Sequence, residues 1–372
     1  MQRDETFITP WEVSGKIDYS RLVKEFGLSL IERLPKEFEE SHLFRRRIIF
    51  AHRDLQQILD SIKAKKPFVM MTGLMPTGKF HLGHMLVAQQ MIFWQRLGAR
   101  LYIAVADIEA YTARAQSLEE SRRIALDDYI TNYFALGLKR KNCDIYFQSG
   151  RSNNATKSNA YYRLQNLVAR YVTFNEFKSV YGEITPGKMI SALLQASDIL
   201  HPQLPEFEGS MPVVVPVGID QDPHIRLTRD ICQRIKGLKF FQPSSIYHIF
   251  IPGLKGGKMS SSDPTSFIAL TDSLEEVALK IRKYAFSGGQ PTIAEHRKKG
   301  GNPDIDVAFQ YLRALFEPDD AKLQKIYDDY KSGSLLTSEL KQILITKLER
   351  FLKSHQRKRE KAKKIVEKMF IL

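Results

Sequence analysis

The chain has 372 residues, of which 43% are hydrophobic and 26% are charged, fractions that are typical of folded globular proteins. They exclude a disordered or fibrous protein, and the length predicts two or three domains. A net charge of +14 favours a polyanionic partner such as nucleic acid. Residues 341–372 hold 11 of the Lys and Arg and only three Glu, although a solvated helix face also produces such a run.

Membrane and disulfide-rich classes are not indicated by the sequence. Apolar stretches such as Met211 to Ile219 are far shorter than the roughly 18 residues of a membrane helix, and the polar first residues do not resemble a signal peptide. We therefore expect no membrane association and a cytoplasmic location. The two cysteines, Cys143 and Cys232, are too few for a disulfide framework and lack neighbours at zinc-ligand spacing, so no metal site is expected.

Proline, glycine and charge divide the chain into three parts. Residues 1–66 read as an N-terminal extension. In residues 67–266, short apolar runs that end at Gly or Asp alternate with helical patterns, which predicts an α/β fold with a parallel sheet. In residues 267–372 the strand signals fade and helical patterns with basic faces remain, with apolar residues on a helical period at Leu340, Leu344, Leu348, Phe351 and Leu352.

Four strands and four helices are predicted in the central part. The predicted strands are Phe68–Thr72, Leu101–Ala106, Ile145–Gln148 and Val213–Val217. The predicted helices are Gly83–Leu97, a helix from Ser117 to Gly137, Tyr161–Phe177 and Ser191–Ile199. Parallel strands end at one sheet edge, so catalytic loops are expected there.

The segment Gly73–Phe80 lies between a predicted strand and a predicted helix and contains the G-x-x-x-x-G-K pattern of a phosphate-binding loop. Phe80 stands where that loop needs a Ser or Thr to hold Mg²⁺, and Pro76 removes an N–H that would contact phosphate. A P-loop-like ATPase or RNA-binding protein therefore stays an alternative rather than the main prediction.

Two further segments have residues suited to ATP. His81-Leu82-Gly83-His84 places two imidazoles at the start of a helix, where free N–H groups and the helix dipole favour phosphate. Gly83 has no Cβ, so a nucleotide can approach the backbone. Gly256-Gly257-Lys258-Met259-Ser260-Ser261-Ser262 is a glycine loop with a lysine that can stabilise the charge of a departing pyrophosphate.

Together these segments resemble the H-x-G-H and K-M-S-K-S signatures of class I aminoacyl-tRNA synthetases, in the same order and about 175 residues apart. The resemblance implies a Rossmann-like catalytic domain of the HUP type, which includes the KMSSS loop, and a C-terminal α-helical anticodon-binding domain. It also implies ATP as a substrate with Mg²⁺ on its phosphates. Ser261 replaces the second lysine of the signature, so only Lys258 can act as its cation.

The resemblance is closest to the tryptophanyl-tRNA synthetases of the archaeal and eukaryotic branch. It rests on Thr9-Pro10-Trp11-Glu12-Val13, on Gly218–Pro223 with Thr228-Arg229-Asp230, and on Ala285–Gly289 with Glu295-His296-Arg297. It implies activation of L-tryptophan with ATP, transfer to tRNA(Trp), and a homodimer formed through a helical insertion at about residues 110–190. A tyrosine-specific sister enzyme, or a synthetase-like protein without charging activity, are the alternatives.

The resemblance also implies roles for individual residues. Asp220 is expected to bind the ATP ribose, whereas Glu109, Gln195 and Gln221 are expected to hold the substrate ammonium; the alternative for Glu109 is a solvated loop acid. The implied catalytic residues are His81, His84 and Lys258, the implied ATP-binding residues are Thr77, Gly83, Asp220, Met259, Ser260 and Ser261, and the implied tryptophan-binding residues are Met71, Gly73, Glu109, Ser191, Gln195, Asp198 and Gln221.

Recognition of the amino-acid side chain is the least conventional feature. The eukaryotic branch reads the indole N–H with Tyr and Gln, but Met71 and Ala104 stand at the matching positions. Ser191, Gln195 and Asp198 are spaced to share one helix face, and Asp198 matches the aspartate that accepts from the indole in bacterial tryptophanyl enzymes and reads the phenol hydroxyl in tyrosyl enzymes. We therefore expect Asp198 to be the acceptor, the alternative being an ordinary aspartate at a helix end. Tyrosyl enzymes carry Tyr at the positions of Met71 and Ser191, and a Met-lined slot better suits an indole.

Overall fold

The computed structural model describes residues 7–8, 13–14, 18–33, 35–260 and 263–370, so the motif residues Thr9 to Glu12 lie outside the described part. This part contains a two-stranded and a seven-stranded sheet. In chain order the strands are β1 (Phe7–Ile8), β2 (Val13–Ser14), β3 (Ser29–Leu30), β4 (Ile49–Arg53), β5 (Val69–Leu74), β6 (Arg100–Val105), β7 (Cys143–Phe147), β8 (Val213–Gly218) and β9 (Ser244–His248).

The seven-stranded sheet has the order β3-β4-β9-β8-β5-β6-β7. Strands β9, β8, β5, β6 and β7 pair in parallel, whereas β3 with β4 and β4 with β9 pair antiparallel. The chain therefore starts the parallel part at β5 in the middle, moves outward to β6 and β7, and returns to β8 and β9 on the other side. This is the doubly wound order, and the predicted α/β fold with a parallel sheet is confirmed.

The two central strands separate toward their carboxyl ends. Within the described residues of β5 and β8, the ladder joins only Val69 with Val213 and Met70 with Val214, and each strand then runs four residues further. In a doubly wound sheet, the connections leave the two central strands in opposite directions, which opens a crevice at the carboxyl edge. The fold therefore provides a crevice between the ends of β5 and β8.

The apolar runs predict β5, β6, β7 and β8 to within two residues at each end, but they do not predict β3, β4 or β9. β9 carries Ser244, Ser245 and His248, which are buried and hydrogen-bonded, so its sequence lacks the apolar run of a buried strand. β4 pairs with β9, so the predicted N-terminal extension contributes strands to the same sheet as the catalytic part.

Helices cover the sheet and form the C-terminal part. Among the described residues, no helix combines the length and apolar character needed to cross a membrane. π-helical turns lie at Ala125–Ile130 and Leu312–Phe316, and 3-10 turns at His201–Gln203 and Ile219–Gln221. The helices are α1 (Tyr19–Glu25), α2 (Lys36–Glu39), α3 (His42–Arg45), α4 (Gln56–Lys63), α5 (Leu82–Arg96), α6 (Asp107–Arg114), α7 (Leu118–Ile124), α8 (Thr131–Leu136), α9 (Ala155–Ala169), α10 (Phe174–Tyr181), α11 (Pro186–Leu200), α12 (Asp222–Arg234), α13 (Leu274–Tyr284), α14 (Ile293–Lys299), α15 (Val307–Tyr311), α16 (Asp320–Ser332) and α17 (Thr337–Phe370).

The predicted helix Tyr161–Phe177 is wrong, because the chain forms two helices there, α9 and α10. Thr173 begins α10 through a reciprocal pair of bonds: Thr173 Oγ1 accepts from the Glu176 N–H at 3.2 Å, and Glu176 Oε2 accepts from the Thr173 N–H at 2.7 Å. This T-x-x-E capping box is visible in the sequence and is the signal that separates the two helices.

The last helix confirms the apolar period predicted for the tail. Leu340, Leu344, Leu348 and Leu352 of α17 are fully buried, and α17 packs along α8 and α13. The helix continues to residue 370, well past the predicted apolar positions, so most of the basic tail is helical.

A polar network anchors α17 to the segment that precedes α5. Arg359 Nη1 lies 3.2 Å from Asp128 Oδ1, and Asp128 Oδ2 accepts from the Phe80 N–H at 2.6 Å. The amide of Asn132 donates to Asp128 Oδ1 at 2.8 Å, and its Oδ1 lies 2.7 Å from His355 Nε2. The C-terminal helix and the start of α5 are thereby held by a shared carboxylate.

We predict that Gly288→Ala destabilises the C-terminal part, because a Cβ at this position would overlap the carbonyl oxygen of Asn302. The free energy of unfolding, measured by urea denaturation, should fall by about 2 to 3 kcal/mol as the backbone shifts to relieve the overlap. Gly150→Ala is the control, since no described atom lies within 4 Å of a Cβ there. Equal stability of the two variants would contradict this packing.

Candidate active site

A cavity of about 400 Å³ lies in the crevice between the carboxyl ends of β5 and β8. Cavities of this size, with apolar walls and a few converging polar groups, are typical of small-molecule sites. The structure brings together at this cavity the residues predicted for the amino acid, the ribose and the pyrophosphate. The predicted site residues that line it are Met71, Gly73, Glu109, Gln195, Asp198, Asp220, Gln221 and Lys258.

The remaining predicted residues lie elsewhere. Ser261 is outside the described residues. Ser191 is buried, and its hydroxyl lies 2.8 Å from Thr112 Oγ1 of α6. Ser191 and Asp198 are seven positions apart on α11, so they share one helix face as predicted, but they lie about 10 Å apart along the helix axis. Ser191 contacts α6 instead of lining the cavity, contrary to its predicted place in the tryptophan site. The other predicted site residues that do not line the cavity lie near the start of α5 or in the glycine loop. They are Thr77, His81, Gly83, His84, Met259 and Ser260.

The two signature histidines close the start of α5. His81 Nδ1 accepts from the Gly83 N–H and His84 Nδ1 accepts from the His81 N–H, both at 3.1 Å. The two rings stack with their centroids 3.8 Å apart. Because each Nδ1 accepts a hydrogen bond, the proton of each neutral ring is on Nε2.

Burial keeps both histidines uncharged. It lowers the pKa of His81 to about 4, and burial together with the neighbouring His81 ring lowers the pKa of His84 well below its usual value. If these imidazoles contact a phosphate, as expected from the sequence, they do so as neutral rings and not as cations. They can offer neutral Nε2–H donors. The first N–H groups of the helix are not free, contrary to expectation, because the Leu82 N–H donates to the Ile268 carbonyl and the Gly83 N–H donates to His81 Nδ1.

Gly83 is the place where the two signature segments approach each other. A Cβ at Gly83 would lie 3.0 Å from His81 Cε1 and 3.4 Å from Met259 Sδ. The glycine loop therefore lies against the start of α5, and its next residue, Ser260, donates its N–H to Ser266 Oγ at 3.0 Å. Thr77 lies on the loop before α5, and its carbonyl accepts from the Tyr129 hydroxyl at 3.0 Å.

Lys258 and Asp220 form a charged pair at the cavity. Lys258 Nζ is 3.8 Å from Asp220 Oδ2, and the lysine side chain remains half exposed. Burial raises the pKa of Asp220, although Lys258 opposes this effect. A Cβ on Gly218 would lie 2.6 Å from Asp220 Oδ1, so a residue with a side chain at position 218 would clash with the carboxylate in this position. The loose pairing leaves Lys258 able to turn toward a phosphate.

Glu109 and Gln195 form a second polar pair at the cavity, here called the gate. Gln195 Nε2 donates to Glu109 Oε2 at 2.9 Å. Glu109 is buried, and this burial, with the nearby Asp198 charge, raises its pKa. The interpretation of Glu109 as a solvated loop acid is therefore wrong. A buried carboxylate of this kind is stabilised when a cation such as a substrate ammonium binds to it.

Asp198 is the centre of a buried polar cluster at the inner end of the cavity. Its Oδ1 accepts from the hydroxyls of Tyr146 at 2.7 Å and Tyr161 at 2.6 Å, and its Oδ2 accepts from Gln148 Nε2 at 2.7 Å. Burial raises the pKa of Asp198 to about 6, whereas these hydrogen bonds lower it. The interpretation as an ordinary helix-end aspartate is therefore wrong. Sequence reasoning missed the three donors, of which Gln148 follows β7 at the carboxyl edge, where site residues are expected.

The segment Gly73–Phe80 is not arranged as a phosphate-binding loop. The N–H of Phe80 donates to Asp128, and Lys79 Nζ is exposed, 3.6 Å from Asp272 Oδ1. The geometry therefore does not support the P-loop interpretation. Within the described ranges, no group of three or more His, Cys, Asp or Glu side chains is placed to hold a metal ion.

Comparison with known proteins identifies the family that the signature segments indicate. The family model described as tRNA synthetases class I (W and Y), that is, for tryptophan and tyrosine, matches residues 63–353. The tryptophan–tRNA ligases of Methanocaldococcus jannaschii and Aeropyrum pernix are 42% and 44% identical to this chain, over 97% of this chain and 97% of each relative.

Solved structures of tryptophanyl-tRNA synthetases also superimpose on most of the chain. The crystal structure of the tryptophanyl-tRNA synthetase from Aeropyrum pernix has a TM-score of 0.89 and 43% identity, and covers 94% of this chain and 95% of that one. The structure of a tryptophanyl-tRNA synthetase from Encephalitozoon cuniculi bound to tryptophan has a TM-score of 0.80 and 29% identity, and covers 93% of this chain and 95% of that one.

We predict that His81 and His84 remain neutral, with the proton on Nε2, between pH 5 and pH 8. The reason is that burial disfavours the cation and both Nδ1 atoms accept backbone hydrogen bonds. Proton–nitrogen correlation spectra of protein labelled with ¹⁵N-histidine check this, with peaks assigned from the His81→Asn and His84→Asn variants. A titration midpoint above about 5 for either ring, or a proton on Nδ1, would contradict the prediction.

Proposed function

Because this chain belongs to the class I tRNA synthetases of the tryptophan and tyrosine family, we propose that it activates L-tryptophan with ATP and transfers the tryptophanyl group to tRNA(Trp). One observation carries the proposal. A single crevice at the carboxyl edge of the sheet combines a buried carboxylate–amide gate, an acid for a ribose and a lysine on a glycine loop, next to two imidazole donors at a helix start.

In the first step, a carboxylate oxygen of tryptophan attacks the α-phosphorus of ATP, and the bond to the leaving pyrophosphate breaks. Mg²⁺ bound to the phosphates of the substrate ATP would neutralise part of their charge. His81 and His84 hold phosphate oxygens through their Nε2–H groups, and Lys258 follows the departing pyrophosphate. The chain thus supplies position and charge stabilisation, and the product is a bound tryptophanyl-adenylate.

The remaining side chains orient the two substrates. Glu109, Gln195 and Gln221 receive the ammonium of tryptophan, and Asp220 accepts from the ribose hydroxyls. Met71 and Asp198 border the indole, and Gly73 leaves the floor of the crevice open for it. On the other side, Thr77, Gly83, Met259 and Ser260 are the proposed neighbours of ATP, because they flank the start of α5 and the glycine loop.

In the second step, the 2′-hydroxyl of the terminal tRNA ribose attacks the adenylate carbonyl, and AMP leaves.

The helical segment 267–372 is proposed to bind the anticodon arm, whereas the sheet-bearing part performs the chemistry. A basic stripe on α17 supports this role: the exposed cations recur every three or four residues, on the side opposite the buried His355 and Arg359. The stripe consists of Lys353, Arg357, Lys361, Lys364 and Lys368. Since the proposed reaction consumes tRNA, the protein is expected to be located in the cytoplasm.

A homodimer is the proposed assembly. Leu167, Phe174 and Ile190 lie on the successive helices α9, α10 and α11, and all three side chains are exposed. Exposed apolar groups on neighbouring helices are typical of subunit contacts. Light scattering should therefore give twice the mass of one chain, and Phe174→Glu together with Ile190→Glu should give a monomer. A monomeric wild-type protein would contradict the proposal.

The direct test of the function is tRNA charging. Purified protein is incubated with ATP, Mg²⁺ and a tRNA(Trp) transcript, with labelled tryptophan in one reaction and labelled tyrosine in another. We expect acid-precipitable label with tryptophan alone. Formation of adenylate without any charged tRNA would instead support a synthetase-like protein that has lost transfer.

Lys258→Ala should slow single-turnover adenylate formation by about 100-fold, as loss of one group that stabilises a developing charge typically does. Tryptophan binding should change by less than about twofold, because the lysine acts on phosphate. Lys255→Ala is the matched control on the same loop, since its ammonium pairs with Asp263 at 2.8 Å. A near-normal rate for Lys258→Ala would remove this lysine from the mechanism.

Replacing Arg357, Lys361 and Lys364 together by Gln should raise the KM for tRNA by about tenfold, because phosphate contacts of exposed cations are lost. Tryptophan-dependent pyrophosphate exchange should be unaffected. The matched control replaces Lys139, Arg140 and Lys141, three exposed cations at the amino end of β7, away from the cavity. Equal effects of the two triple variants would contradict a role for the stripe. Substitution is preferable to deleting the chain after Lys353, because deletion also removes the buried Arg359.

A further inference from the structure

The inner end of the crevice is built on one face of the strands β5, β6 and β7. Gly73 lies beside Ala104 in the sheet, and Ala104 lies beside Tyr146. Gly73 and Ala104 have little or no side chain, so they leave room between this face and the helix α11. Tyr146 and Gln148 both donate to Asp198 of α11, so both side chains project from this same face. The open slot is therefore bordered at its far side by Gln148.

The carboxylate of Asp198 is largely occupied by the protein's own donors. A carboxylate oxygen accepts about two hydrogen bonds, and Oδ1 already accepts from Tyr146 and Tyr161. Oδ2 accepts from Gln148 Nε2. Asp198 is only 3% exposed. It is thus well suited to hold these three side chains in place, and by this count only one acceptor position, on Oδ2, is left for a substrate.

The amide of Gln148 is oriented by that carboxylate. Its Nε2 must face Asp198, since an amide oxygen there would meet a carboxylate oxygen. Oε1 is therefore turned away, and among the described residues it has no hydrogen-bond partner, although the side chain is only 1% exposed and lines the cavity. A buried acceptor without a partner is unfavourable, and a ligand N–H that reaches it restores the missing bond.

We propose that Gln148 Oε1 accepts the hydrogen bond of the indole N–H, and that Asp198 is a positioning residue that fixes the amide for this purpose. The inference rests on the proposed tryptophan activation and names the atom that reads the side chain. The indole nitrogen is a donor only, so it matches an acceptor whose orientation is locked. Met71 and Ala104 stand at the positions where the resemblance to the eukaryotic branch implies a Tyr and a Gln. The Ala104 side chain has no acceptor, and the thioether sulfur of Met71 is only a weak one.

The test compares tryptophan with β-(3-benzothienyl)alanine, in which sulfur replaces the ring N–H at nearly the same shape. For each, kcat/KM is measured by pyrophosphate exchange with wild-type protein, Gln148→Met and Tyr146→Phe. In the wild type, tryptophan should be preferred by at least about tenfold, because the analogue leaves the buried acceptor unpaired. In Gln148→Met, this preference should largely vanish, through loss of tryptophan activity with little change for the analogue.

Tyr146→Phe is the matched control, since it removes one donor to Asp198 but keeps Gln148. The tryptophan preference should stay within about threefold of wild type. A preference retained in Gln148→Met would overturn the proposal and return the acceptor role to Asp198. Equal loss with both amino acids in Gln148→Met would also overturn it, because a merely structural role predicts that result. Failure of the wild type to exchange with tryptophan would instead refute the proposed function itself.

Discussion

The separation of β5 and β8 toward their carboxyl ends is the constraint on which the rest of the site depends. Once two residue pairs have joined them, the two strands diverge, and the crevice between them receives groups from both halves of the sheet. The first half brings the start of α5 with its histidines, and the second brings Asp220 at the end of β8. A sheet in sequential strand order would not create this opening, because the connections would not leave in opposite directions.

Burial then sets the charge state of the crevice before any substrate binds. It keeps the signature histidines neutral and raises the pKa of Glu109, Asp198 and Asp220. These three acidic side chains line the cavity together with two basic ones, Arg114 and Lys258. The proposed substrates supply what is missing, an ammonium for the gate and donors for the remaining acceptors. If tryptophan and ATP bind as proposed, little reorganisation is required as charge moves during adenylate formation.

The sequence predicts those parts of the molecule that follow local patterns. Apolar runs locate four of the five parallel strands of the sheet, and the two signature segments locate both ends of the proposed ATP site. What it does not predict depends on pairing across long distances. β9 has buried serines whose hydroxyls are bonded, so it lacks an apolar run, and the Asp198 cluster joins residues from β7, α9 and α11 that have no common spacing. Ser191 shows the limit of helix periodicity, since the same face of α11 contacts different elements along its length.

The most direct measurement is amino-acid-dependent exchange of labelled pyrophosphate into ATP, with Mg²⁺ present and with tryptophan, tyrosine or no amino acid. We predict exchange with tryptophan only, because adenylate formation is reversible and the inner end of the crevice is proposed to hold an indole. Exchange with tyrosine would contradict the specificity assigned to the inner end, and exchange with neither amino acid would contradict the activation chemistry as a whole.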